Sequence, residues 1–498
     1  MTTSSVHQIP NWLEVAARSH PDKLALAFAG QRWTFADLEQ SVAAAGELLS
    51  TTRAASAGRI GILSANRPGV VFTVHAATRM AVPFVPLNWR QTAGEIAWQL
   101  QDAGITVLVV DEERATVAKT ACADLPVAIV PIAELERWGL PSERPNDLPQ
   151  IKLEREATVI YTSGTSGRPK GARITYGNLW FGAIASALHL GNHSNDVWLA
   201  AMPLFHVGGL AILSRGVIGA VPVILHERFQ PENALAAVEE GATLLSVVPT
   251  MLQRMLDARG GSWPSNLRCV LLGGSAAPPR LIEESVRSGI PVAPTYGLTE
   301  ATSQVTTMLP DQTPRKPASS GVPLPLTQVR IIAQARVALP EEVGEIEVRG
   351  PTVFAGYIGD DAPGSSDLND GWFRTGDVGY LDSDGYLYVV DRRDDLIVSG
   401  GENVYPAEIE RVLRQHPSVL DAGVIGVPDE SWGSRPAAAV VWRGDIDRAR
   451  VDLRDHCRQH LPGYKIPDQF LFLSELPRSA SGKLIRRALR ETIAESLW

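Results

Sequence analysis
The stretch Tyr161-Thr-Ser-Gly-Thr-Ser-Gly-Arg-Pro-Lys-Gly171 carries the densest chemistry in the chain. Hydroxyls on Thr162, Ser163, Thr165 and Ser166 offer donors to phosphate oxygens, and Lys170 adds positive charge. Gly164, Gly167 and Gly171 let a ligand come close to backbone amides. This is not a Walker loop, because Pro169 stands where that motif needs Gly and Gly171 follows Lys170 in place of Ser or Thr. A plain Gly/Ser surface turn is the ordinary alternative. It would not also have a Pro-Lys-Gly end between a strand, EATVIY, and a helix from about Thr175. Asp377 follows a Thr-Gly turn that can present its carboxylate to vicinal hydroxyls; taken alone it reads as a turn cap. His206 is a lone imidazole among apolar neighbours, more often a satisfied core residue. His456 and His460 flank Cys457 at helical spacing with no third ligand, so a helix face is expected there, not a metal site.

These residues need a scaffold. Short apolar runs alternate with amphipathic stretches: GRIGILSA, RPGVVFTVHAATRM, VPFVPLN, TAGEIAWQLQDAG and TVLVV, and later TLLSVV, CVLLGG and IPVAPTYG. That alternation predicts α/β architecture with largely parallel sheets. From about 319 the texture changes to VRIIA, GEIEVRG and GYLYVV, expected as a small antiparallel β region. A compact tail follows, with a helix near 406–415, two strands, a helix at 448–461 and the strand QFLFL. The expected fold is therefore a large N-terminal domain of stacked α/β subdomains plus a small β-barrel-like region, residues 1–393. A small α+β C-terminal domain, residues 394–498, completes it, and its mobility is what the family resemblance given below implies.

The chain has 498 residues, 45% apolar and 20% charged, with a net charge of -9, a globular balance that disfavours a nucleic-acid partner. Cys122, Cys269 and Cys457 lie too far apart for a disulfide framework and fit a reducing compartment. The N-terminus lacks a signal-peptide pattern, and no run approaches the ~18 apolar residues of a membrane span. A soluble intracellular multidomain protein is the expectation from composition.

Taken together, the Tyr161–Gly171 segment, PLFHVGG (203–209), GGSAAP (273–278), TYGLTE (295–300), GEIEVRGP, TGD (375–377), DRRDDLIVSGGENVYPAEIE (391–410) and PRSASGKLIRR (477–487) resemble the acyl-adenylate-forming superfamily. The order of the motifs agrees along nearly the whole chain. The resemblance implies ATP, Mg2+ and CoA as cofactors and a carboxylic acid as substrate. It implies that Thr162, Ser163, Gly164, Thr165, Ser166, Gly167 and Lys170 hold the phosphates. Gly274, Ser275, Ala276, Thr295, Tyr296, Gly297 and Thr299 would surround the nucleotide, with Tyr296 stacked on adenine. Asp377 and Arg392 would hold the ribose, and Glu300 with Thr165 the metal. Lys483 would bridge the carboxylate and the α-phosphate, where negative charge develops. Asp394 would be the hinge, and Ser399, Gly400 and Gly401 would line the CoA tunnel. Rotation of the small domain would then let one site serve two steps.

Within the superfamily, TYGLTEATSQVTTM and PLFHVGGL followed by Arg215 are most similar to 2-succinylbenzoate–CoA ligases. His206 stands where amino-acid-activating relatives generally have Asp, which disfavours an amino acid. His206, Gly273, Ser303, Gln304 and Thr306 would line the acyl pocket, and Arg215 would pair with a spare carboxylate. The competing reading of Arg215 is a surface helix residue. A fatty-acyl or other aryl-CoA synthetase and an adenylation enzyme loading a carrier protein stay open as alternatives; Lys483, Glu300, Asp377 and Lys170 together speak against a non-catalytic relative, and nothing in the chain argues for a luciferase-type oxygenase.

Overall fold
The computed structural model describes residues 8–52, 58–137, 150–162, 169–259, 261–275, 277–359, 368–392, 397–399, 402–429, 432–444, 446–461, 463–479, 482 and 484–495. Two sheets carry the large domain. One has six strands in the order Lys170–Thr175, Glu156–Thr162, Phe84–Pro86, Arg59–Leu63, Ile105–Val110 and Ala128–Pro131. The other has nine strands. Its consecutive strands Val292–Tyr296, Cys269–Leu272, Leu244–Val247, Trp198–Ala200, Val223–Leu225 and Leu24–Phe28 all run parallel. Their near-continuous Val/Ile/Leu content follows from burial on both faces, as parallel sheets flanked by helices require. One apolar core joins Ile60 and Val107 of the first sheet to Leu26 and Leu271 of the second. It does so through helices Phe35–Thr51, Pro68–Met80 and Val207–Ile218. The helices packed between two sheets make the stacked α/β arrangement.

The antiparallel region is a six-stranded sheet running Arg336–Val337, Gln328–Ala333, Gly344–Arg349, Trp372–Leu381 and Leu368–Asn369, with Leu387–Arg392 also paired to Trp372–Leu381. Its buried Ile331, Ile346, Val348 and Leu387 pack against Ala301 and Val305, so this sheet supports the loop that carries Glu300. The small C-terminal domain has its own core, including Ile409, Leu413, Val424, Val440 and Cys457, beneath helices Pro406–Gln415 and Ile446–His460. Arg280 of the large domain donates to the Gln415 carbonyl at the end of the first of these helices.

The strand EATVIY and the helix expected from about Thr175 both form, with one unexpected element between them. The segment after the Ser/Thr/Gly stretch first forms a strand, Lys170–Thr175, antiparallel to Glu156–Thr162. Only then does helix Tyr176–Leu190 start, with Thr175 and Asn178 forming a capping box. Lys-Gly-Ala-Arg-Ile-Thr has a weak strand pattern. It is held by partners on both sides, because Ala355 and Ile358 also donate backbone bonds to Arg173 and Gly171. Gly171 is buried there, and a Cβ would come within 2.8 Å of Ile358 and 2.9 Å of Val159. Its missing side chain therefore serves strand packing, not ligand approach.

Candidate active site
The hairpin register sets Thr162 opposite Lys170 across the mouth of the Ser/Thr/Gly stretch. Glu300 arrives from a short 3-10 turn, Thr299–Ala301. Its Oε1 accepts from the Tyr357 hydroxyl at 2.8 Å and from the Thr162 hydroxyl at 3.4 Å. Lys170 Nζ lies 5.0 Å from the centre of the Tyr357 ring. A carboxylate, two hydroxyls and an ammonium thus converge at the end of the hairpin. The carboxylate and hydroxyl oxygens suit a hard cation such as Mg2+, and the ammonium suits phosphate oxygens. Tyr357 was not legible as a site residue; it follows Gly356 in a segment that only tertiary pairing brings to the hairpin.

The Glu300 turn is shaped by two left-handed residues, Thr302 (φ 54°) and Ser303 (φ 89°). They fold the chain back until a Cβ on Gly297 would sit 1.5 Å from the Ser303 carbonyl oxygen, so position 297 admits only glycine. Tyr296 ends the strand just before and donates its hydroxyl to Asp377 Oδ2 at 2.8 Å. Asp377 is buried, and its backbone amide donates to Thr375 Oγ1 at 3.1 Å. Asp377 lies within a strand whose register places it opposite Arg392, not on an isolated turn, although Gly376 before it has φ +70°. The ribose pair expected from the motifs is therefore adjacent in space, with the Arg392 side chain outside the described residues. Gly273 and Gly274 follow strand Cys269–Leu272, and a Cβ on Gly273 would reach 2.8 Å from Thr295 Cγ2. Thr295 itself donates to the Thr306 carbonyl at 2.8 Å, so it braces the strand pair.

The acyl end is built from the loop Pro203–His206 and the helix Val207–Ile218. His206 caps that helix by position, but its side chain makes no capping bond. Its Nε2 is buried without a partner, and burial together with the charge of Arg90 pushes its pKa down to about 4. The imidazole is neutral at physiological pH. Arg215, on the same helix, is 7% exposed, which overturns the surface reading. No carboxylate pairs with it among the described residues, its Nε lacks a partner, and its guanidinium lies 5.6 Å from the Trp198 ring. Burial lowers its pKa to about 10, which still leaves it charged. Gln304 donates from Nε2 to Thr307 Oγ1 at 2.9 Å and leaves Oε1 buried and unpaired. Thr306 is not available to substrate: its hydroxyl donates to the Ser320 carbonyl at 2.8 Å.

In the small domain, Ser399 and Glu402 are register partners on the antiparallel strands Ile397–Ser399 and Glu402–Val404. Ser399 is fully buried, with its hydroxyl unpaired. Gly482 comes close to the large domain: a Cβ there would lie 3.5 Å from Thr250 Oγ1. Ser163, Gly164, Thr165, Ser166, Gly167, Ala276, Asp394, Gly400, Gly401 and Lys483 lie outside the described residues. His456 and His460 bond backbone carbonyls, of Val412 and His456, as a structural helix face would. Among the described residues no group of three or more metal-binding side chains occurs, and no helix is long and apolar enough to cross a membrane.

A hairpin that gathers Thr162, Lys170, Glu300 and Tyr357, a buried Asp377–Tyr296 pair and a small domain with its own core suit a nucleotide-binding enzyme of two domains. The AMP-binding enzyme model matches residues 13–358 and the AMP-binding enzyme C-terminal domain model matches residues 408–483; the chain belongs to this family. It is 42% identical over 489 residues to a 2-succinylbenzoate–CoA ligase of Bacillus mycoides, covering 98% of this chain and 99% of that one. The o-succinylbenzoate CoA synthetase of Bacillus subtilis, solved with the acyl-adenylate intermediate OSB-AMP, superposes with a TM-score of 0.91 at 39% identity, covering 97% of this chain and 98% of that one. The same enzyme solved with ATP and magnesium ion gives a TM-score of 0.90 at 38% identity, covering 97% of this chain and all of the other (100%).

Proposed function
We propose that the chain is an ATP-dependent acid–CoA ligase acting on 2-succinylbenzoate. The observation that carries the acid's identity is Arg215, a buried guanidinium with no carboxylate partner among the described residues. An unpaired buried charge is costly, so its retention fits a ligand that brings the counter-charge. 2-Succinylbenzoate has two carboxylates; one is adenylated and the other is left for Arg215. A fatty acid has no such second group.

In the first step the acid's carboxylate attacks the α-phosphorus of ATP, giving acyl-adenylate and pyrophosphate. Thr162 and Lys170 orient the phosphates, and Asp377, once released from Tyr296, takes the ribose hydroxyls. Glu300, with the Thr162 and Tyr357 hydroxyls beside it, would hold Mg2+, which neutralises phosphate charge. Lys483 places a cation where the new acyl–phosphate bond forms. No general base is needed, because the nucleophile is already ionised. In the second step the CoA thiol attacks the acyl carbonyl, giving the thioester and AMP. The neutral His206 borders the acyl group. Residues 394–498 form the domain that turns between the steps, with Asp394 as hinge and Ser399–Gly401 beside the thiol's path. The three buried, unpaired cysteines fit a cytoplasmic enzyme, as monomer or homodimer.

The test is ATP–pyrophosphate exchange over a panel of acids, with thioester product identified by mass, for the wild type and Arg215→Leu. The variant should lose roughly 100-fold or more in kcat/KM for 2-succinylbenzoate. It should change little with a monocarboxylate of similar size. Equal losses on both acids would remove Arg215 from the acyl pocket.

A further inference from the structure
The segment that holds Lys483 has no apolar anchor of its own at Ser479, Ala480, Ser481 and Gly482. Backbone bonds hold the residues on either side of it. Ile485 donates to the Pro477 carbonyl at 2.9 Å, Arg478 and Leu484 form an antiparallel bridge, and Gly482 donates to the Ser479 carbonyl at 2.9 Å. Side chains fix it further. Arg478 donates from Nη1 to the Gly482 carbonyl at 2.6 Å, and from Nη2 and Nε to Asp421 Oδ2 at 2.6 and 3.0 Å. Asp421 is held in turn, since its Oδ1 accepts from the Ala422 amide at 2.9 Å and from Arg414 Nε at 3.3 Å. Beyond Lys483, Arg486 Nη2 donates to Glu410 Oε1 at 2.8 Å, and Glu410 also accepts from the Val424 amide at 2.9 Å. Arg414 spans the two carboxylates, reaching Glu410 Oε2 at 3.5 Å.

We propose that Arg478 and Asp421, tied through Arg414 to Glu410 and Arg486, are positioning residues for Lys483. This rests on the assignment of Lys483 to adenylate formation. The physical reason lies in the Gly482 carbonyl. It belongs to the peptide unit that joins Gly482 to residue 483, and that unit is planar. Holding this oxygen from a guanidinium fixes the carbonyl of Gly482, the residue before Lys483. The guanidinium cannot swing freely, because its other face is bound to a carboxylate fixed on strand Val419–Asp429. Glu410 is 7% exposed and Arg486 14%, whereas Arg478 is 30% exposed and Asp421 25%. The inner pair therefore anchors the fold of the small domain. The outer pair is more exposed, so less of the stability rests on it, and it holds the Gly482 carbonyl.

The experiment compares the full-length enzyme with Arg478→Ala, Arg478→Lys, Asp421→Asn and Lys483→Ala. Two rates are measured for each: pyrophosphate exchange, and thioester formation from supplied acyl-adenylate and CoA. Arg478→Ala and Asp421→Asn should lower kcat for exchange roughly 10- to 100-fold, as small misplacements of a reacting group do, with KM for ATP within about two-fold. They should leave thioester formation and the melting temperature near wild type. Arg478→Lys keeps the charge but loses the fork, and should not restore exchange. The positioning role is overturned if Arg478→Ala exchanges normally, or if both rates fall together while Lys483→Ala still loses only exchange. If Lys483→Ala itself loses both rates equally, the assignment of Lys483 fails instead, and the positioning role fails with it.

Discussion

A buried ionisable side chain without a partner states what its environment will tolerate. Arg215 keeps its charge despite burial, so the ligand-free protein bears a desolvation cost that the proposed anionic substrate would offset. For that reason Arg215→Leu should hold or raise the melting temperature even as it removes dicarboxylate recognition. His75 takes the opposite route. It sits on the fully packed helix Pro68–Met80, its Nδ1 has no partner, and burial pushes its pKa down to about 4. Its folded value is below the unfolded value of about 6.5. As pH falls through that window, the unfolded chain takes a proton that the folded chain refuses, so stability falls with pH and levels off below about 4. Between pH 7 and pH 5 the wild type should lose roughly 2 kcal/mol more than His75→Leu. Urea unfolding at the two pH values measures this, and parallel losses in both proteins would show that His75 is not the group responsible.

At the scale of elements, the site is made by turns at strand ends. The Glu300 turn depends on the fold-back at Thr302 and Ser303, which leaves no room for a side chain at position 297. Gly297→Ala must open that turn or move Gln304 and Ser303. The carboxylate of Glu300 would then shift relative to Thr162 and Tyr357. The expected outcome is a loss of exchange activity of at least roughly 100-fold with a cooperative unfolding transition still present. Unaltered exchange would mean that the turn does not set the position of Glu300. The same scale shows where reading the chain succeeds. Strands such as Ile105–Val110 and Cys269–Leu272 are short apolar runs between turn signals, and they form where expected. Lys170–Thr175 does not announce itself, because its strand character comes from two neighbours that are distant in sequence.

At the scale of the whole molecule, two domains have separate cores and meet, among the described residues, where helix Pro406–Gln415 packs on strand Leu387–Arg392 and at two further points. Arg280 reaches the Gln415 carbonyl, and Gly482 approaches Thr250. Separate cores would let the small domain make the turn proposed above without unfolding. Lys483→Ala should accordingly abolish pyrophosphate exchange while thioester formation from supplied acyl-adenylate stays within about five-fold of wild type, since only the first step places a cation on a forming acyl–phosphate bond. Stopped assays of each half-reaction decide this, and equal damage to both would contradict the division of labour between the two arrangements.

Much of the site could be read from the chain because its motifs are local. Hydroxyl- and glycine-rich turns, Thr-Gly-Asp and Ser-Gly-Lys carry their chemistry within a few residues, and the order in which they occur limits the family. Burial and pairing are not local properties. Whether Arg215 faces water or the interior, whether Thr306 is free or bonded to Ser320, and whether Tyr357 stands beside Glu300 all depend on segments far apart in the chain. Those outcomes follow from how sheets and helices pack, and only the folded molecule sets the solvent exposure and hydrogen-bond partners that turn a residue type into a role.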